Sequence, residues 1–183
     1  MNPLTNIKNI YFIGIGGIGM SALARYFNTQ GVKVSGYDKT PTPLTDDLKK
    51  EGIAIHFEDD INQIDKEATV VVYTPAIPAE HKELNYLRDH GYNVVKRSDV
   101  LQWVTENAFT IGIAGTHGKT TTTSMTAHIL RHTKFGCNAF LGGIASNYGT
   151  NFWSHEKNVV VVEADEYDRS FLKLSPNVAV ITA

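Results

Sequence analysis

Short apolar runs alternate with amphipathic stretches along most of this chain. The runs "NIYFIGI" (9–15), "VKVSGY" (32–37), "IAIHF" (53–57), "ATVVVYTP" (68–75) and "YNVVKR" (92–97) predict strands. Between them, "GMSALARYFNTQG" (19–31) predicts a helix closed by Gly31, and "PLTDDLKKEG" (43–52) one with an Asp-rich start and a glycine stop. "AEHKELNYLRDHG" (79–91) reads as a third, and "SDVLQWVTEN" (98–107) as a fourth with Ser98 as N-cap. Strands that are continuously apolar, rather than alternating, are buried on both faces. With helices between them they imply a parallel sheet covered on both sides.

The rhythm then starts again. "FTIGIAG" (109–115) predicts a strand, "KTTTTSMTAHILRHT" (119–133) a helix, and "FGCNAFLGG", "NVVVVEAD" and "NVAVITA" further strands. "VTENA" (104–108) is the natural boundary, because one complete unit precedes it.

Composition narrows the class. The chain has 183 residues, 42% of them apolar, with a formal net charge of −2, so it carries core enough for one large or two small domains. No basic footprint marks it for nucleic acid. The one cysteine, Cys137, cannot form an internal disulfide, which suits a reducing compartment. No apolar run approaches the roughly 18 residues of a membrane span. "IYFIGIGGIGMSALA" (10–24) follows Lys8 and ends in Ala-Leu-Ala, like a secretory leader. Its four glycines at 14, 16, 17 and 19 would weaken a helical leader, and their spacing serves another purpose. The expectation is a cytoplasmic protein.

That purpose is phosphate binding. Gly14, Gly16 and Gly19 form G-x-G-x-x-G between a strand and a helix. The first glycine permits the tight turn, the second lets backbone approach a pyrophosphate, and the third allows close helix–strand packing. Amides at the helix start attract the anion. Asp38 ends the next strand, where an acid can accept ribose hydroxyls. The residues alone leave NAD, FAD and a nucleotide sugar open, and a glycine-rich packing turn is the alternative.

A second phosphate loop follows the second start. Gly115, Gly118, Lys119 and Thr120 lie between strand and helix, where amides and a lysine can cradle phosphates and the threonine can bind Mg²⁺. Ile113 stands where the usual spacing has glycine. Glu163, Asp165 and Glu166, at the exit of "NVVVVEADEYD", are placed to supply a second Mg²⁺-holding carboxylate. The pair predicts ATP with Mg²⁺. His128 and His132 have i, i+4 spacing on one helix, but no acid flanks them and the last turn itself suits imidazolium. Cys137 reads as core packing.

"FIGIGGIGMSALA", "VSGYD", "GTHGKTTTT" and "VVEADEYDRSFLKLSP" together resemble the Mur ligases, ATP-dependent enzymes that add amino acids to the peptidoglycan precursor. The resemblance implies a Rossmann-like parallel-sheet domain at 1–107, followed at 108–183 by the first part of a P-loop α/β domain. It also explains Ile113, since the family's loop is read from Gly115. The first site then takes UDP-N-acetylmuramate: Gly14, Gly16, Gly17, Ile18 and Gly19 on the pyrophosphate, Asp38 near the nucleoside, and Thr74 of "TPAI" at the substrate. Pro75 departs from that turn's usual pattern. ATP falls to Gly115, Thr116, His117, Gly118, Lys119, Thr120 and Thr121, with Thr120 and Glu163 on the metal and Lys119 and Glu163 catalytic. "GIGGIGMSALA" points to the family's L-alanine-adding reaction. Tyr167 also occurs in the ligase that recycles murein tripeptide, and an NAD-binding protein is the remaining alternative. The terminal strand "NVAVITA" lies where relatives continue into further segments. The expectation is therefore a portion of a longer enzyme, inactive alone, with apolar edges that favour self-association.

Overall fold

The computed structural model describes residues 3–164 and 171–183. They fall into two compact units, Pro3–Val100 and Leu101–Ala183. The expected boundary at 104–108 lies just past that division.

In the first unit β1 (Asn9–Ile13), β2 (Lys33–Tyr37), β3 (Ala54–His56), β4 (Val70–Tyr73) and β5 (Val94–Lys96) form one sheet in the order β3-β2-β1-β4-β5. Every pairing is parallel. The strand order reverses between β1 and β4, and such a switch opens a crevice at the carboxyl ends of the strands. Helices α1 (Ile18–Thr29), α2 (Pro43–Lys50) and α3 (Lys82–Asp89) make the crossovers. α2 begins with a capping box: the Thr42 hydroxyl accepts from Thr45 N–H, the Thr45 hydroxyl accepts from Thr42 N–H, and Pro43 stands at the first helical position. One face of the sheet packs Tyr11, Ile13, Tyr37 and Val71 against Leu84 and Leu87 of α3. α4 (Arg97–Glu106) follows β5 directly.

A polar network runs through that core. Tyr11 and Glu83 are both fully buried. The Tyr11 hydroxyl donates to Glu83 Oε2 at 2.5 Å, Asp60 N–H donates to Oε1 at 3.1 Å, and His56 Nε2 lies 2.8 Å from Oε1. Burial, and the Glu83 carboxylate after it, push the Tyr11 phenol well above its ordinary pKa, so it remains a donor. Tyr11→Phe strands one oxygen of a buried carboxylate. It should cost about 1–3 kcal/mol, read as a lower urea midpoint at unchanged slope. An unmoved midpoint would mean that the network contributes nothing net.

The second unit carries β6 (Phe109–Gly115), β7 (Asn138–Ala145), β8 (Thr150–Trp153), β9 (Val159–Glu163) and β10 (Val178–Thr182), in the order β10-β6-β9-β7-β8. Its helix is α5 (Lys119–His132). β6 pairs in parallel with β9 and β10, and β7 in parallel with β9. β8 pairs antiparallel with β7, a hairpin that the sequence pattern did not predict. Ile113, Ala127, Cys137, Leu141, Trp153 and Val161 build the core. Cys137 is buried there as expected, and burial raises its thiol pKa to about 11. On the edge strand β10, Ile181 is 81% exposed.

Candidate functional site: two phosphate-binding loops

The first loop starts where β1 ends. Gly14 turns the chain at φ +87°, a conformation that favours glycine. Its N–H and that of Ile15 both donate to Tyr37 O, at 2.8 and 3.0 Å, tying the loop to the end of β2. Gly17 is the N-cap of α1 and offers no side chain to its first turn, which leaves that helix start suited to an outside anion. A Cβ on Gly16 would lie 2.8 Å from both Asp38 Oδ2 and Thr45 Cγ2. One on Gly19 would strike Arg97 Nη1, so a guanidinium lies against the opening turn of α1.

Gly16 N–H donates to Asp38 Oδ2 at 2.7 Å, and Thr40 N–H donates to Oδ1 at 3.1 Å. The motif's spacing assigns Asp38 to ribose hydroxyls. Here its carboxylate sits on a loop amide, in the role a phosphate oxygen would take. The adjoining cavity of about 590 Å³ has the size of a small-molecule site. Gly14, Gly16, Gly17, Asp38 and Thr74 line it, whereas Ile18 and Gly19 form the first turn of α1 and do not. Tyr37, Ile77 and His81 are among the other residues of its wall. His81 is buried and caps α3, its Nδ1 accepting from Leu84 N–H at 3.3 Å. Arg97, Tyr37 and His81 were invisible as site residues, because only the fold brings them to the glycine loop.

The second loop follows β6. Ile113 is fully buried in that strand, and its carbonyl accepts from Ala164 N–H at 2.8 Å. The residue that breaks the usual spacing is thus a core residue, and the loop opens at Gly115, φ +131°. Gly118 caps α5 in the left-handed region. The Lys119 ammonium donates to Gly115 O at 2.6 Å, folding the lysine back over the loop. Thr116, His117, Thr120 and Thr121 are exposed along it. The edge strand pins it from the side: His117 N–H donates to Ala183 O at 3.0 Å, and the Thr182 hydroxyl donates to Ala114 O at 3.1 Å.

Across this loop Glu163 ends β9, and the Thr120 hydroxyl donates to its Oε2 at 3.1 Å. A hydroxyl and a carboxylate so close, beside a phosphate cradle, make the hard-oxygen donor set that Mg²⁺ takes together with nucleotide phosphates. Asp165, Glu166 and Tyr167 lie outside the described residues. His128 and His132 are 5.7 Å apart ring to ring, with His128 Nδ1 2.6 Å from the Tyr148 hydroxyl. Among the described residues no three His, Cys, Asp or Glu side chains cluster to hold a metal ion. No helix among them is long and apolar enough to cross a membrane.

The profile of the Mur ligase family, catalytic domain, matches residues 9–108. The chain belongs to the Mur ligase family. It is 55% identical over 183 residues to the UDP-N-acetylmuramate–L-alanine ligase of Porphyromonas gingivalis, covering 97% of this chain and 40% of that protein. The chain thus spans about two fifths of the curated Mur ligases it matches. Among solved Mur ligases, the UDP-N-acetylmuramate–alanine ligase of Thermotoga maritima superposes with a TM-score of 0.86 at 34% identity, over 94% of this chain and 40% of that one. The UDP-N-acetylmuramate:L-alanyl-γ-D-glutamyl-meso-diaminopimelate ligase of Neisseria meningitides gives 0.88 at 29%, over 96% and 60%. The profile match falls on the glycine-loop unit, while the curated likeness takes in the Gly-Lys-Thr loop as well.

Proposed function

We propose that this chain carries the nucleotide-sugar and ATP sites of a ligase joining L-alanine to UDP-N-acetylmuramate. The domains are assigned to residues 1–107 and 108–183. The observation that carries the reading is the presence of two phosphate loops in one chain. An oxidoreductase has no use for Lys119 and Thr120 beside Glu163, and a simple kinase has none for a complete glycine-loop unit.

In this reading Gly14, Gly16 and Gly17 take the pyrophosphate of UDP-N-acetylmuramate, helped by the start of α1 and the Arg97 guanidinium. Asp38 leaves the Gly16 amide as the anion arrives and turns to the nucleoside. Gly115 to Thr121 hold ATP. The muramyl carboxylate attacks the γ-phosphorus, the bond to the β-phosphate bridging oxygen breaks, and ADP leaves with that electron pair. The amine of L-alanine then attacks the acyl phosphate, loses a proton, and expels inorganic phosphate. Lys119 neutralises charge developing on the transferred group and orients it. Thr120 and Glu163 would hold Mg²⁺, which when bound offsets negative charge on the phosphates. His117, fixed through its backbone, shapes the loop. ATP and a UDP-linked substrate both belong to the cytoplasm, where the enzyme would act.

The likeness to the Neisseria tripeptide ligase supports a second reading, in which a preformed peptide supplies the attacking amine in place of L-alanine. Phosphate release by the enzyme carrying this segment separates the two. Turnover with UDP-N-acetylmuramate and ATP should require L-alanine and ignore L-alanyl-γ-D-glutamyl-diaminopimelate, whose α-amine would take the place of the L-alanine amine in the second reading. Turnover with the tripeptide and none with L-alanine would select the recycling ligase.

A further inference from the structure

Glu163 is held from two sides. The Thr120 hydroxyl takes Oε2, and on the other side Gly142 N–H donates to Oε1 at 2.7 Å. The pairing of β7 with β9 makes this reach possible: Phe140 stands opposite Val162, and β7 then runs on past the Glu163 side chain. The two oxygens are thus fixed by different elements, one by the first turn of α5 and one by a strand backbone.

Gly142 is not a glycine for the sake of its backbone, because its φ lies outside the left-handed region. Its missing side chain matters for another reason. A Cβ built there would lie 2.7 Å from both Glu163 Cδ and Oε1, and closer still to Oε2. The next residue is a contrast: a Cβ on Gly143 would meet nothing nearer than Thr120 Cγ2 at 3.6 Å, an ordinary contact. Of two adjacent glycines, one vacates the carboxylate's place and donates to it, and the other does neither.

We propose that Gly142 is a positioning residue for the Glu163 carboxylate, holding it over Thr120 in the orientation that binds the cation accompanying ATP. The inference rests on the reading of Glu163 as a cation ligand. The three atoms nearest a methyl group at 142 all belong to the end of the Glu163 side chain, which can swing aside. The fold should therefore survive Gly142→Ala while the carboxylate moves off Thr120. Outer partners of metal ligands typically matter by about 10–100-fold in metal affinity.

The test is Mn²⁺ binding, followed by paramagnetic resonance with a non-hydrolysable ATP analogue, in the enzyme carrying this segment. Gly142→Ala should weaken Mn²⁺ by at least about tenfold and leave metal-free binding of the analogue unchanged. Gly143→Ala should change neither. In a Glu163→Ala background, Gly142→Ala should have no further effect, since the two act as one unit. The Gly142 amide proton should also move upfield in Glu163→Ala, a readout that needs no change at 142. Unaltered Mn²⁺ affinity in Gly142→Ala, equal losses in Gly143→Ala, additive losses in the double variant, or an unmoved amide resonance would each overturn the inference. If Glu163→Ala itself leaves Mn²⁺ affinity intact, the cation-ligand reading fails instead.

Discussion

Lys119→Ala should lower ATP-dependent phosphate transfer by at least about 10²–10³-fold in the enzyme that carries this segment, with its affinity for UDP-N-acetylmuramate unchanged. The ammonium already lies over the loop, donating to Gly115 O at 2.6 Å. Bound phosphates would give it a far stronger partner than a neutral carbonyl, and only in the transition state does the charge it offsets reach its maximum. The bond to Gly115 O comes from a charged donor and is worth about 1.5–3 kcal/mol net, so a stability measurement accompanies the assay. Glycine-loop residues belong to the other compact unit, so nucleotide-sugar binding should persist. Single-turnover transfer and UDP-sugar titration measure the two quantities separately. Parallel loss of both would indicate one shared site or a folding defect.

The second large effect falls on the first loop. Gly16→Ala should weaken UDP-N-acetylmuramate binding by on the order of 10²-fold while the chain stays folded. The added methyl group would stand 2.8 Å from Asp38 Oδ2 and 2.8 Å from Thr45 Cγ2. It would also crowd the carboxylate oxygen that Gly16 N–H already holds, the place a phosphate oxygen would take. Asp38 is a half-buried side chain at a strand end and can withdraw. Thr45 is fully buried in the capping box of α2, so the loop must yield rather than the helix. A displacement approaching 1 Å at a phosphate cradle costs on the order of 10²-fold. Calorimetric titration of the variant against the parent reads this directly, and equal affinities would remove the loop from the site.

Much of this arrangement was legible in the sequence because it depends on local chemistry. Continuous runs such as "YFI" and "VVVV" must be buried on both faces, and they became the inner strands β1 and β9. The glycine loops could be placed because each needs a strand before it and a helix after it. β8 was missed because it is four residues long and has no apolar run of its own; its partner β7 makes it a strand. Asp38 is placed by its position along a motif, and the fold adds what the motif does not carry: its carboxylate accepts from the Gly16 and Thr40 amides. Arg97, His81 and Gly142 come to lie beside Gly19, the first cavity and Glu163 through crossovers and register, which no local pattern encodes. The glycine doublet at 142–143 inside a strand was the hint of the last, and its two glycines differ.

In the proposed function the first loop serves a UDP-sugar and not a dinucleotide cofactor. Thermal unfolding of the parent chain tests it most directly, because a ligand that binds only the folded state adds RT ln(1 + [L]/Kd). At about 100 times its Kd, UDP-N-acetylmuramate should add about 2.7 kcal/mol and raise the melting temperature by several degrees, while NAD at the same concentration leaves it unmoved. A larger shift with NAD than with UDP-N-acetylmuramate would contradict the account.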